Sequence, residues 1–333
     1  MTVTSLGDLA QSFMLRRQTG LTKADLDRWS QEMTTGIVAD PARRLHGDLG
    51  ALHALDAGLS RLSAQQTIAT EMELWTGTMQ SALRSIDRQA VALATDLLSA
   101  ASGQQTTSID ILAEKAKAAF LSAVASLNLS VGGRSLFAGV ATDTAPLPDG
   151  NTMLARIAAD MTGLTTAEDI ASALDGWFGT GGTFETEIYG GGAPLAEIEL
   201  MPGEPVRFGV TALSDGLRET LKGLALAALT RGGPLSGDSA RLALMGMAGE
   251  TLLAAQTGRT GLAAGLSVAE ERIADAQTRS GSEKTALELA RTRLVAADPH
   301  EAATRLLEAE TRLQTIYTIT ARLSALSLTE YLR

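Results

Sequence analysis

The chain has 333 residues, 45% apolar but only 4% aromatic, and a formal net charge of −10. Apolar content dominated by Ala and Leu favours long packed helices and argues against disorder. The acidic balance, with no stripe of Lys and Arg, argues against a phosphate-backbone binder, and the absence of Cys excludes disulfides, thiolate zinc sites and cysteine nucleophiles.

The first stretch, "MTVTSLGDLAQSFMLRRQTG", places its positive charges after its apolar residues and has no continuous apolar core, so it does not read as a secretory signal. No apolar run approaches the roughly 18 residues that span a bilayer. The expectation is a soluble chain, or one exported without a cleaved signal. A helix begins at "LTKADLDRW" and is closed at Gly36; "ADPARRL" then opens a second helix with Asp40 as cap and Pro41 at its first position.

That second helix carries apolar residues at steps of three and four through Leu45, Leu49, Leu52, Leu59, Leu62, Ala69, Met72, Met79, Leu83, Ile86, Ala90, Leu93 and Leu97. From Ala42 to Ala101 it predicts a rod of roughly 90 Å. After the "SGQQ" break a middle helix is predicted at about Thr107 to Leu129, with an "NLS" sequon at its end, Asn128 to Ser130. "LTTAEDIASALDGWF" predicts a short helix with a capping box from Thr165 to Glu168. The Gly- and Pro-punctuated alternation that follows predicts two to four strands near 183–189, 194–201 and 205–212.

"SDGLRETLKGLALAAL" reads as a further helix. A second seam runs Leu252, Ala255, Arg259, Leu262, Leu266, Ala269, Ile273 and Ala276 and continues towards Leu294. Its Gly258, Gly261 and Gly265 mean either a weak helix or a face that another backbone approaches closely. "DPHE", with Asp298 as cap, Pro299 at the first position and Glu301 at the third, stops the preceding helix near Ala297 and starts a terminal one of about 33 residues. Its seam is Leu306, Ala309, Leu313, Ile316, Thr320 and Leu323, with an apolar character carried to Leu332.

Each end thus has a helical segment of some 30 residues, a break and a long amphipathic helix, which predicts antiparallel pairing of the two ends. The expected fold is mainly α: an elongated antiparallel helical bundle or coiled-coil shaft built from the N- and C-terminal regions, with a small central α+β insertion. The expected divisions are terminal helices at 1–40 and 298–333, a shaft at 41–147 and 213–297, and an outer insertion at 148–212.

Catalytic chemistry finds no foothold. His46 and His53, seven residues apart, would lie about 10 Å apart along one helix face, too far to share a metal, and His300 sits in a cap. "GWFGTGG" lacks the preceding strand and following helix of a dinucleotide loop, and "GSEK" lacks the Ser-x-x-Lys spacing. The acids Glu270 and Glu271 lie on an Arg-rich helix, where solvated pairing accounts for them. No general base, acid and oxyanion site assemble; neither an enzyme nor a cofactor or metal is expected.

Three stretches resemble the flagellin superfamily, and specifically its hook-filament junction branch, hook-associated protein type 3. They are "RWSQEMTTGIVADPARRL", "GGRSLFAGVATDTAPL" with its aromatic-Ala-Gly turn at Leu136, Phe137, Ala138 and Gly139, and "RLSALSLTEYLR". The resemblance covers about residues 5–147 and 210–333. Flagellin proper carries an Asn- and Ser-rich start leading to a "Leu-Ser-Ser-Gly" type sequence, which this chain lacks in that form, and the central insertion is short for the family. The resemblance implies a structural, non-enzymatic adaptor, exported unfolded and stacked as a ring at the hook-filament junction in the extracellular flagellum. Implied partners are itself, the other hook-associated junction protein, flagellin and a flagellar export chaperone. The filament subunit is the alternative reading, and a soluble coiled-coil binding module a further one.

Physics and resemblance meet at the ends. A lone amphipathic helix of about 30 residues gains little from its own backbone. Pairing Phe13, Met14 and Leu15 with Leu323, Leu326 and Leu328 would cover part of the apolar face, and neighbouring subunits the rest. The expected self-assembly interface is Phe13, Met14, Leu15, Ile316, Leu323, Leu326, Leu328, Tyr331 and Leu332.

Overall fold

The computed structural model describes the backbone of residues 6–201 and 203–331, and the side chains of 10–323 apart from 201, 202 and 204. The elements in chain order are α1 (Leu6–Thr35), α2 (Pro41–Arg44), α3 (Gly50–Ser102), α4 (Ile109–Leu127), β1 (Ser130–Val131), β2 (Arg134–Ser135), α5 (Gly150–Asp160), α6 (Ala167–Phe178), β3 (Ile198–Met201), β4 (Glu204–Val206), α7 (Asp215–Ala228), α8 (Asp238–Val295) and α9 (Pro299–Tyr331). The protein is mainly α, with long helices and two small antiparallel hairpins among the described residues. Contacts divide the chain into two units: one holds residues up to Ala64 and from Gly281 onward, the other Gln65–Ser280.

In the first unit α1 lies along α9. The pair is pinned where α1 ends and α9 begins: Val38 N donates to Val295 O and Ala297 N to Gly36 O, each at 2.9 Å, forming the bridge Ile37↔Ala296. The two helices therefore run antiparallel, as the mirrored ends predict. The expected start signals appear at atomic level. Asp40 accepts from Arg43 N at 3.0 Å, and Asp298 accepts from His300 N at 2.9 Å and Glu301 N at 3.3 Å. Buried Glu32 braces the intervening turn by accepting from Ala39 N at 3.1 Å.

Two expectations fail here. α1 starts at Leu6, well before "LTKADLDRW". The rod expected from Ala42 is also interrupted: α2 ends at Arg44, and α3 begins only at Gly50. Between them His46 and Gly47 take left-handed backbone angles and Asp48 Oδ1 accepts from Gly50 N at 3.0 Å, so "HGD" makes a turn that apolar spacing alone does not register. His46 is consequently not on a helix face with His53.

In the second unit the seams behave as their periodicity predicts. Ala69, Met72, Met79, Leu83, Ile86, Ala90, Leu93 and Leu97 of α3 are buried, as are Leu252, Ala255, Leu266, Ala269, Ile273 and Ala276 of α8. Hydrogen bonds from Gln80 Nε2 to Ser267 Oγ (2.8 Å) and Gln277 Nε2 to Glu73 Oε2 (2.9 Å) show that these two helices run antiparallel. α4 and α7 pack on one another, and Phe120, Val124, Leu127, Leu217, Leu221 and Leu224 join one continuous core. Each such side chain, fully buried, contributes roughly 1.5–3 kcal/mol. The possibility that small residues admit a neighbouring backbone is realised at Gly258, where Cα of Gly216 lies 2.8 Å from the position a Cβ would occupy. Gly261 and Gly265 face open space.

The insertion differs more from expectation. Residues 184–188, expected as strand, form a π-helical turn, because Phe184 folds inward against Phe178 (ring centroids 5.1 Å apart) and Trp177 (6.1 Å). Strand pairing is confined to β3 and β4, in the register Ile198↔Val206 and Glu199↔Pro205. The cap of α6 is Thr166, accepting from Asp169 N at 3.1 Å, one residue later than the expected box. Helix α5, capped by Asp149, and the β1–β2 hairpin lie outside the expected elements. The second has a legible signal in its two-residue Gly132-Gly133 turn.

Candidate assembly surface

The α1–α9 pair buries one seam and leaves other large apolar side chains exposed. On α9, Ala302, Ala309 and Ile316 are buried and Leu306, Leu313 and Leu323 half-buried; on α1, Thr22 is buried and Leu15, Leu26 and Trp29 are half-buried. Two helices alone cannot enclose apolar side chains on all sides, and the remainder is exposed: Phe13 at 68%, Met14 at 63%, and Leu21, Leu307, Tyr317 and Ile319 besides. Of the three α1 residues expected to pair within the chain, Leu15 is half-buried and Phe13 and Met14 are exposed. Side chains of Leu326, Leu328 and Tyr331, and all of Leu332, lie outside the described residues. Leu21, Leu307, Tyr317 and Ile319 extend the exposed set beyond the expected residues. Seam spacing passes over them because they lie beside the seams and not on them; an apolar residue adjacent to a filled seam position is the signal for a second face.

A polar cleft of about 390 Å³ lies beside this pair, lined among others by Arg28, Glu32, Asp40, Arg43, Asp298 and Arg305. Three of its carboxylates are already engaged: Glu32, Asp40 and Asp298 accept from backbone N–H groups. The two N–H bonds from His300 and Glu301 hold the Asp298 carboxyl below its ordinary pKa. The cleft thus fixes the junction between α1 and α9.

The aromatic-Ala-Gly turn occupies a different place, inside the second unit. Leu136, Phe137, Ala138 and Gly139 are all buried. Their backbone stitches separate segments together. Ala212 N donates to Phe137 O at 3.0 Å, Gly192 N to Ala138 O at 2.8 Å, and Val140 N to Ala193 O at 2.9 Å. Gly139 has φ +61°, and a Cβ there would lie 2.2 Å from Ala193 O. The turn is a scaffold that anchors the insertion. Asn128 supports it from the other side, donating to Leu147 O (2.9 Å) and accepting from Leu147 N (3.0 Å). The sequon asparagine is thereby committed to packing.

Two further titratable groups are shifted by their surroundings. Burial disfavours the charge on Lys222, but hydrogen bonds to Asp175 and Glu219 outweigh it and hold the ammonium above its ordinary pKa. Burial likewise raises Tyr189. Among the described residues no group of three His, Asp or Glu could hold a metal, and no helix is long and apolar enough to cross a membrane.

No curated protein matches the chain significantly. Residues 251–332, which take in most of the α8 seam and all of the described part of α9, match the family model of the bacterial flagellin C-terminal helical region. That match falls on the C-terminal part of α8, with its seam, and on α9 of the α1–α9 pair.

Proposed function

We propose that the chain is a structural subunit of the bacterial flagellum that joins its neighbours through the open side of the α1–α9 pair. The observation that carries this reading is the set of large apolar side chains left exposed on α1 and α9, Phe13, Met14, Leu307, Tyr317 and Ile319, the last three in the region that matches flagellin. Covering it with adjacent copies would gain about 25 cal/mol per Å² of apolar area and would couple ordering of the ends to assembly.

Within the flagellum we assign it to the hook-filament junction, as an adaptor that forms a ring. The Phe137-Ala138-Gly139 turn and the "RLSALSLTEYLR" ending support that branch. On this reading the protein is made in the cytoplasm, exported without a cleaved signal with the help of a chaperone, and seated between the other hook-associated junction protein and the first flagellin subunits. The division into terminal helices at 1–40 and 298–333, shaft at 41–147 and 213–297, and outer insertion at 148–212 belongs to the same proposal. A filament subunit is the second reading, favoured because the matched region is that of flagellin itself.

Immunogold electron microscopy of flagella separates the two: label confined to the hook tip supports the adaptor, and label along the filament supports the subunit. Deletion of residues 324–333 should leave the second unit folded by circular dichroism and abolish incorporation. Normal incorporation of that protein would refute assembly through the ends.

A further inference from the structure

The chain has ten methionines and no cysteine, so all of its sulfur is thioether. Most of that sulfur is shielded. Met72, Met79, Met153, Met161 and Met245 are buried and Met247 is half-buried, all of them in the second unit. Among the described residues two methionines are exposed, Met14 at 63% and Met33 at 54%, and both lie on α1. By helical rise they stand about 28 Å apart, and their company differs. Met14 follows Phe13 and shares its side of the helix with Leu21, seven residues on, and both neighbours are exposed large apolar side chains. Met33 stands near the end of α1 and is followed by the exposed hydroxyl side chains of Thr34 and Thr35.

We propose that Met14 is an oxidation site at which a hydroperoxide switches off assembly of the free chain. The sulfur lone pair attacks the terminal oxygen of the hydroperoxide; the S–O bond forms as the O–O bond breaks. The hydroperoxide proton ends on the departing oxygen, which leaves as water or an alcohol. Sulfur gives up two electrons and the peroxide takes them, so the thioether becomes a sulfoxide with no further reactant. Reactivity follows exposure, which puts Met14 and Met33 ahead of the methionines of the core.

The consequence for assembly rests on the reading that the exposed apolar side chains of α1 and α9 meet neighbouring copies. A thioether is apolar and adaptable, whereas a sulfoxide is polar and carries a strong acceptor oxygen. Hydrated on the free chain, that oxygen costs nothing. Covered by apolar side chains of a neighbour it loses its water and gains no donor, which weakens each such contact by roughly 5- to 150-fold. The same covering keeps peroxide from the sulfur once a copy is in place, so the reaction belongs to the unassembled chain.

The test treats the purified full chain briefly with hydrogen peroxide. Peptide mapping by mass spectrometry should find Met14 and Met33 converted at least about tenfold faster than Met79 and Met153, with helicity by circular dichroism unchanged. Incorporation at the ends of isolated hook-basal bodies or filaments, counted by immunogold electron microscopy, should fall roughly fivefold or more. Met14→Leu keeps the size and apolar character of the side chain, so after peroxide it should incorporate as well as before, although Met33 is still oxidised. Treated Met33→Leu should lose as much as the parent, and methionine sulfoxide reductase with a dithiol should restore the treated parent. The proposal is overturned if Met14 reacts no faster than Met79, or if treated Met14→Leu loses incorporation as the parent does. Failure of the assembly reading looks different, because the untreated parent would then already fail to incorporate, and the consequence for assembly would fall with it.

Discussion

Replacing Gly139 by Ala tests the scaffold reading of the buried turn. The residue has φ +61°, which costs an L-residue roughly 1–2 kcal/mol. The added Cβ would also lie 2.2 Å from Ala193 O and 2.6 Å from Gly192 O, both backbone atoms, so the 190–193 segment must retreat. Retreat breaks the bonds Val140 N to Ala193 O and Gly192 N to Ala138 O, each contributing about 0.5–1.5 kcal/mol. The total comes to about 2–5 kcal/mol, and at roughly 2–4 °C per kcal/mol for a unit of this size the melting temperature should fall by about 5–20 °C. The control is Gly133→Ala, which has φ +76° but no atom within 4 Å of the new Cβ, so it carries the backbone cost alone. The assay is thermal unfolding by circular dichroism with both variants side by side. If Gly139→Ala melts within about 2 °C of Gly133→Ala, the close approach of the 190–193 segment contributes nothing and the scaffold argument fails.

Phe13→Ser with Met14→Ser removes exposed apolar area, so it should change the melting temperature of the monomer by less than about 2 °C while reducing incorporation into flagella, scored by electron microscopy. Asn128→Ala deletes both bonds to Leu147 and leaves that backbone unpaired beside the buried turn; a loss of about 2–3 kcal/mol in urea unfolding is expected. Asp298 has a folded pKa below its unfolded value, so its contribution is complete above the unfolded pKa near 4 and is lost as pH falls through the folded one. Amide exchange at residues 300–303 should therefore quicken below about pH 4, after correction for intrinsic rates, and Asp298→Asn should flatten that dependence.

Periodicity carries the reading of the long helices, for a physical reason: a seam at steps of three and four can be satisfied only by burying one face. Every member of the α8 seam from Leu252 to Ala276 is buried or half-buried. Caps are equally legible, because Asp298, Pro299 and Glu301 act on backbone groups within a few residues of themselves. Less legible is anything decided by an arrangement of a few local polar groups, such as the turn at His46 to Asp48 that interrupts the expected rod. The strand expected at 184–188 fails because alternation over five residues weighs less than the burial of Phe184 against Trp177 and Phe178.

Local order along the chain therefore determined that this protein is built from long helices, where most of them start and stop, and which face of each turns inward. Tertiary structure alone decided what each face meets. Arg259 reads from sequence as a blemish in a seam, and becomes intelligible only when Asp87 and Thr220, distant in the chain, arrive at its nitrogens. Phe13 and Met14 read from sequence only as apolar residues of an assembly face, and it is the folded α1 that shows both of them exposed. A spacing rule specifies a direction around a helix axis, whereas the partner in that direction is set by how the whole chain folds back on itself.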